Sequence, residues 1–199
     1  MAKLMRFNMT DLSVTLEDLP EAYKHLGGRG LTSTIVYDEV DPLCHPLGPN
    51  NKLVFGLGFV TGTPAPTSAR LSVGAKSPLT GGIKEANAGS GWAPALADFG
   101  IRALVVEGQP EEKGKFWMAY VTWDNDKDTP NVEFFSADEY VGQDLHEVYP
   151  KLFERFGKKV SIAGIGVAGE YLYGNSGVVF EDMELRPARY AGRGGLGAV

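Results

Sequence analysis

A chain of 199 residues suits one large domain, or two small lobes sharing a core. Hydrophobic residues at 43% and charged residues at 22% describe a folding chain, and the formal charge of −6 excludes the broad basic surface that nucleic acid requires. No apolar run reaches the roughly 18 residues that span a bilayer, and no signal-peptide core follows the first residues, so no membrane partner and a cytoplasmic location are expected.

In chain order, residues 4–16 alternate apolar and polar side chains around Thr10 and Asp11, which predicts a hairpin. Residues 19–26 predict a helix, with Asp18 as cap and Gly27 as stop. A second helix is expected over 31–40, ended by Pro42, Pro46 and Pro49. Residues 52–59 form a short apolar run and predict a buried strand. A loop over 61–68, a strand over 70–75 and a turn at 77–81 follow. A helix over 92–99 and a strand over 103–107 come next. Residues 117–123 and 132–135 flank a polar turn and predict a hairpin. The most regular amphipathic pattern is the helix expected over 145–156, and strands are expected over 159–165 and 177–180. Strands and helices mix without a strict βαβ rhythm, so the expected class is α+β.

Cys44 is the only cysteine, which excludes an intrachain disulfide and a four-cysteine zinc or iron–sulfur site in this chain. His25, His45 and His146 are scattered, and the adjacent pair Cys44-His45 reads as loop. Glycine is abundant, 26 of 199, and it clusters. Four glycine-bearing segments stand out as loops: 27–30 (GGRG), 61–70, 87–91 (NAGSG) and 189–197 (RYAGRGGLG). Three carry arginine beside small residues. Glycine lets backbone N–H groups approach an anion, and arginine adds a fixed planar fork for phosphate oxygens. Together they predict a concave site for a phosphorylated small molecule. Any one of them alone also describes a tight turn with a surface arginine. The string GRGGLG at 192–197 fits a dinucleotide fingerprint, but residues 185–188 before it make a poor strand. No catalytic constellation is visible. Glu85 and Glu170 beside glycine-rich segments are the only carboxylates to name, and the favoured reading of both is a solvated loop carboxylate. Residues 52–62 resemble 159–169, and 87–91 resemble 190–194, which predicts two equivalent strand-and-loop units facing each other across a pseudo-two-fold axis.

A family resemblance runs from about residue 4 to 199. It is carried by Arg6-Phe7-Asn8-Met9-Thr10, the GGRG segment, Asn51-Lys52-Leu53-Val54-Phe55, Thr61-Gly62-Thr63, Ala65-Pro66-Thr67 and Arg70. It continues through Lys76-Ser77-Pro78-Leu79-Thr80-Gly81, Ala86-Asn87, Val105-Val106-Glu107-Gly108, Ala168-Gly169-Glu170 and Ala191-Gly192-Arg193-Gly194-Gly195. In these motifs the chain resembles the N-terminal domain of the aldehyde:ferredoxin oxidoreductase family. The resemblance implies two similar β-sheet lobes with short helices, forming a base for a tungsten or molybdenum atom held by two pterins. It implies pterin contacts at Arg70, Asn87, Gly89, Arg189, Tyr190, Gly192 and Arg193, with the backbone carbonyls of Asn87 and Tyr190 approaching a magnesium ion that bridges the pterin phosphates.

The implied parent enzyme oxidises an aldehyde to a carboxylic acid and passes electrons through a 4Fe–4S cluster, bound outside this chain, to ferredoxin. This sequence departs from the family pattern at Tyr190, usually a small residue, at Val167 and Tyr171, and at Pro187 before the arginine segment. Residues 1–199 are therefore expected to be one pterin-binding domain, truncated or excised. It should be inactive alone and partnered by the remaining domains of the parent. A free-standing pterin- or nucleotide-binding module is the alternative.

Overall fold

The computed structural model describes residues 2–199. Its main layer is a six-stranded mixed sheet built from β1 (Lys3–Asn8), β2 (Ser13–Asp18), β3 (Lys52–Leu57), β4 (Arg70–Lys76), β5 (Ile83–Gly89) and β6 (Ile101–Glu107), in the order β2-β1-β6-β3-β4-β5. β1 runs parallel to β6 and every other pairing in this sheet is antiparallel. The predicted first hairpin forms, and Asp11 turns it by accepting the Ser13 N–H at 3.1 Å.

Period-two alternation divides this sheet into two faces. On one, Leu4, Val54, Ala103 and Val105 pack against Leu31, Ile35 and Val36 of helix α1 (Gly28–Glu39). The helix comes close because two sheet positions lack a side chain: a Cβ on Gly56 would lie 2.7 Å from Thr32 Cγ2, and one on Gly74 would lie 2.8 Å from Thr32 Cβ. On the other face, Phe55, Leu57, Leu71, Val73, Ala86 and Ala88 meet α2 (Trp92–Asp98) and a second sheet. That sheet has three strands, β9 (Ala163–Gly164), β10 (Val178–Glu181) and β11 (Pro187–Ala191), in the order β11-β10-β9. Phe55, Trp92 and Phe180 form the joint, with ring centroids 5.0 to 6.5 Å apart.

β7 (Trp117–Asp124) and β8 (Thr129–Ser136) make a separate hairpin. The predicted amphipathic helix is α3 (Leu145–Phe156), which buries Val148, Tyr149, Leu152 and Phe153 on one side. Asp144 caps it by accepting the His146 N–H at 2.7 Å. A short α4 (Val167–Glu170) completes the set. No described helix is long and apolar enough to cross a membrane.

Four expectations are corrected. The helix expected over 19–26 is one 3-10 turn, Glu21–Tyr23, because Pro20 holds extended dihedrals before it and the Leu19 N–H is tied to the Ala2 carbonyl at 2.9 Å. Residues 87–89 are not loop: they end β5, an edge strand that the β4 ladder imposes on small residues. The segment from Pro187 to Ala191, read as a poor strand and a loop, is strand β11. The strand expected over 159–165 shrinks to Ala163–Gly164. Thus 52–57 is a central strand, whereas its supposed equivalent contributes two bridging residues.

Beneath α1's far end lies an ion network. Arg6 donates to both Glu39 oxygens at 2.8 Å, and Lys52 reaches Glu39 at 2.8 Å and Glu107 at 2.6 Å. Burial opposes ionisation of Glu39, but the Arg6 and Lys52 bonds outweigh it and hold the carboxyl below its ordinary range. These four charges are mutually paired, and Glu39, Lys52 and Glu107 line a shallow crevice with Asn8 and Thr10.

Candidate functional site

Arg70 and Asn87 lie in one surface concavity of about 370 Å³, together with Gly28, Arg29, Gly58 and Ser72. Strand register puts them there. Arg70 stands opposite Gly89, and Ser72 stands opposite Asn87, so these four share the α1 side of the β4–β5 pair. The Asn87 amide donates to Ser72 Oγ at 2.8 Å and to one oxygen of Glu85. The other Glu85 oxygen accepts from Arg29 Nε at 3.0 Å. Glu85 is therefore neither a solvated loop carboxylate nor a free acid. It is a strand residue whose side chain is only 9% exposed, joining Arg29 to Asn87. Glu170, the other carboxylate marked in the sequence, accepts the Gly142 N–H at 2.8 Å and lies outside this concavity. Sequence reading missed Ser72 and the partner role of Glu85, because neither follows from local context. Only the pairing of β4 with β5 brings them together.

Gly89, Arg189, Tyr190, Gly192 and Arg193 do not line that concavity. The last four belong to β11 and the turn after it. Arg189, Tyr190 and Arg193 are exposed, and the Tyr190 hydroxyl donates to the Pro187 carbonyl at 2.9 Å. β11 packs beside β5. Two contacts fix the direction. A Cβ on Gly194 would sit 2.5 Å from Lys84 Cγ near the start of β5, while a Cβ on Gly91 beyond its end would sit 3.0 Å from Glu181, whose strand partner is Pro187. The strands therefore run in opposite senses.

The glycines of 189–197 have two different roles. A Cβ at Gly192 would meet nothing within 4 Å, so that backbone is open. Gly195 and Gly197 are occupied by the protein itself: added Cβ atoms would lie 2.7 Å from the Gly174 carbonyl oxygen and 2.4 Å from that of Gly177. Ser77 anchors the same turn, its buried hydroxyl donating to the Gly194 carbonyl at 2.6 Å. The sequence showed these glycines but not what approaches them. No group of three or more His, Cys, Asp or Glu side chains among the described residues could hold a metal. Cys44 and His45 are in a loop, where the Cys44 carbonyl accepts from Lys76 at 2.6 Å and His45 Nδ1 accepts the Leu47 N–H at 3.2 Å.

Glu181 was not marked by the sequence. Its side chain is buried, one oxygen accepts the Ile162 N–H at 2.8 Å, and the other has no hydrogen-bond partner. Burial pushes this carboxyl above its ordinary range, and the buried neutral Tyr149 beside it supplies no countercharge. A raised folded value means that the folded chain holds this proton more tightly than the unfolded chain. Stability from this group is therefore full below the ordinary carboxylate range and is lost as pH rises through the raised value. Urea unfolding of Glu181→Gln across that range should lack this component of the decline. Parallel curves for variant and parent would refute the assignment.

A sequence model of the aldehyde ferredoxin oxidoreductase N-terminal domain matches residues 4–199. The chain belongs to this family. Among curated proteins it is 38% identical over 200 residues to the tungsten-containing aldehyde ferredoxin oxidoreductases of Pyrococcus furiosus and Thermococcus kodakarensis, covering 99% of this chain and 31% of each relative. Among solved structures it is similar to the active site complex BamBC of benzoyl coenzyme A reductase in complex with 1,5-dienoyl-CoA. There the TM-score is 0.84 at 26% identity, over 99% of this chain and 28% of the other. The family assignment thus reaches across the described fold, while the chain spans about a third of the length of these relatives.

Proposed function

We propose that this domain holds one side of a tungsten- or molybdenum-bearing bis-pterin cofactor within an enzyme that oxidises an aldehyde to a carboxylic acid and delivers electrons to ferredoxin. The observation that carries this reading is that β5, which holds Asn87, and β11, which holds Tyr190, lie side by side in a chain whose relatives are tungsten-containing. Neighbours running in opposite senses are related by a local two-fold. This supports reading the two segments as matched arms, although the strands at 52–57 and 163–164 differ.

The residues suit such a group. Arg70 and Arg189 are exposed guanidiniums able to fork onto phosphate oxygens. Gly89 and Gly192 leave the backbone approachable: a Cβ on Gly89 would make only ordinary contacts, the nearest at 3.6 Å, and one on Gly192 none within 4 Å. The carbonyls of Asn87 and Tyr190 are the oxygens this chain would offer a magnesium ion. Tyr190 takes the place of a small residue without closing the face, since its hydroxyl folds back onto Pro187. When bound, the metal–pterin group supplies the two-electron chemistry. This domain binds and orients it, and we assign no acid–base residue here. Further domains of the parent would provide the 4Fe–4S cluster and the substrate pocket.

The nucleotide-binding alternative loses its main support. In GRGGLG the last three glycines pack on Lys84, Pro78, Gly174 and Gly177 instead of facing a free phosphate. Arg70→Ala should weaken cofactor retention about 10- to 100-fold, the equivalent of one charge-assisted contact. Equilibrium dialysis of the reconstituted chain, with tungsten and pterin assayed together, measures this. Equal retention by variant and parent would remove Arg70 from the site.

A further inference from the structure

We infer that Arg29, oriented by Glu85, forms with Arg70 a phosphate-binding subsite that extends the proposed cofactor face onto helix α1. The inference rests on the proposed reading of that face. Both arginines line the same concavity, and a hydrogen-bond chain runs along it from Arg29 through Glu85 and Asn87 to Ser72. The Arg29 side chain is 76% exposed, and its hydrogen bond to Glu85 uses Nε alone. Among the described residues its two terminal nitrogens make no hydrogen bond, so the guanidinium is held at one edge and free at the other. A guanidinium fixed in this way loses less freedom when its terminal fork meets an anion.

Glu85 does not cancel the subsite. Its two oxygens are taken, one by Arg29 and one by Asn87, and its side chain is nearly covered. Two guanidiniums against one carboxylate leave a local charge of +1 in a chain of −6. Two arginines beside one concavity match an oxyanion, and a phosphate monoester is the ligand class with the charge and acceptor count to use them. Gly28 lines the same concavity at φ +52°, a conformation that favours glycine, and lies beside Ser72, whose hydroxyl Asn87 contacts.

The test is titration of the 199-residue chain with inorganic phosphate, followed by the side-chain amide signal of Asn87 and by arginine Nε signals in NMR. The parent should show saturable shifts. Arg29→Ala should weaken binding about tenfold, Arg70→Ala by a similar factor, and Arg29→Lys should recover only part of the loss, because an ammonium lacks the fork. The side chain at position 29 is exposed, so its truncation removes no core contact, and unchanged backbone signals elsewhere verify that the fold is intact. If Arg70→Ala weakens binding and Arg29→Ala does not, the inference fails while the proposed cofactor face stands. If the parent shows no saturable shift, or neither variant alters it, both fail.

Discussion

Phe180→Ala should destabilise the chain by about 3–5 kcal/mol, a large part of the roughly 5–15 kcal/mol that holds a domain of this size together. Phe180 is fully buried at the centre of the largest core cluster, its ring 5.7 Å from Trp92 and 6.5 Å from Phe55. Those rings belong to α2 and the six-stranded sheet, and Phe180 belongs to β10. Truncation would leave a cavity where the two sheets join, walled by the rings of Phe55 and Trp92. Urea unfolding followed by tryptophan fluorescence reads the change, with Trp92 beside the cavity as a probe. Val14→Ala, on a residue 36% exposed at the sheet edge, should stay within about 0.5 kcal/mol.

Gly197→Ala should cost about 3 kcal/mol through overpacking, for the addition of one methyl group. The new Cβ would stand 2.4 Å from the Gly177 carbonyl oxygen, 2.9 Å from its carbon and 3.1 Å from its nitrogen. All three are backbone atoms, so no rotamer change relieves the clash. Gly177 is itself backed by main chain: a Cβ added there would lie 2.8 Å from the Ala191 carbonyl oxygen and 3.2 Å from Gly192 Cα. The strain would pass directly to the end of β11, beside Tyr190 and Gly192. Gly82→Ala is the control: nothing lies within 4 Å of its Cβ, and thermal unfolding should hardly change.

The helix Leu145–Phe156 was readable residue for residue, because its apolar stripe at Val148, Tyr149, Leu152 and Phe153 is local and Asp144 marks its start. β3 and β4 were readable as apolar runs bounded by glycine and proline loops. β5 was not. Its residues Ala86, Asn87, Ala88 and Gly89 are weak strand formers, and the pairing with β4 overrides their preference. The arginine and glycine segments were singled out correctly as unusual, but the reason differed from one glycine to the next. Gly56 and Gly74 admit Thr32 of a helix, Gly197 admits another glycine's backbone, and Gly192 faces open space. A sequence records the missing side chain but not the neighbour that required its absence. For the same reason Glu181 and the Arg29–Glu85–Asn87 chain were invisible: their partners lie 19 and 56 residues away.

The most direct test of the cofactor role is hydrogen–deuterium exchange on the chain with and without the tungsten bis-pterin group. If β5 and β11 are two arms of one site, amides of 87–91 and 189–193 should gain protection together, at the same cofactor concentration, while α3 and the β7–β8 hairpin stay unchanged. Protection of one segment without the other, or of neither at a concentration that saturates tungsten retention, would contradict the shared cradle.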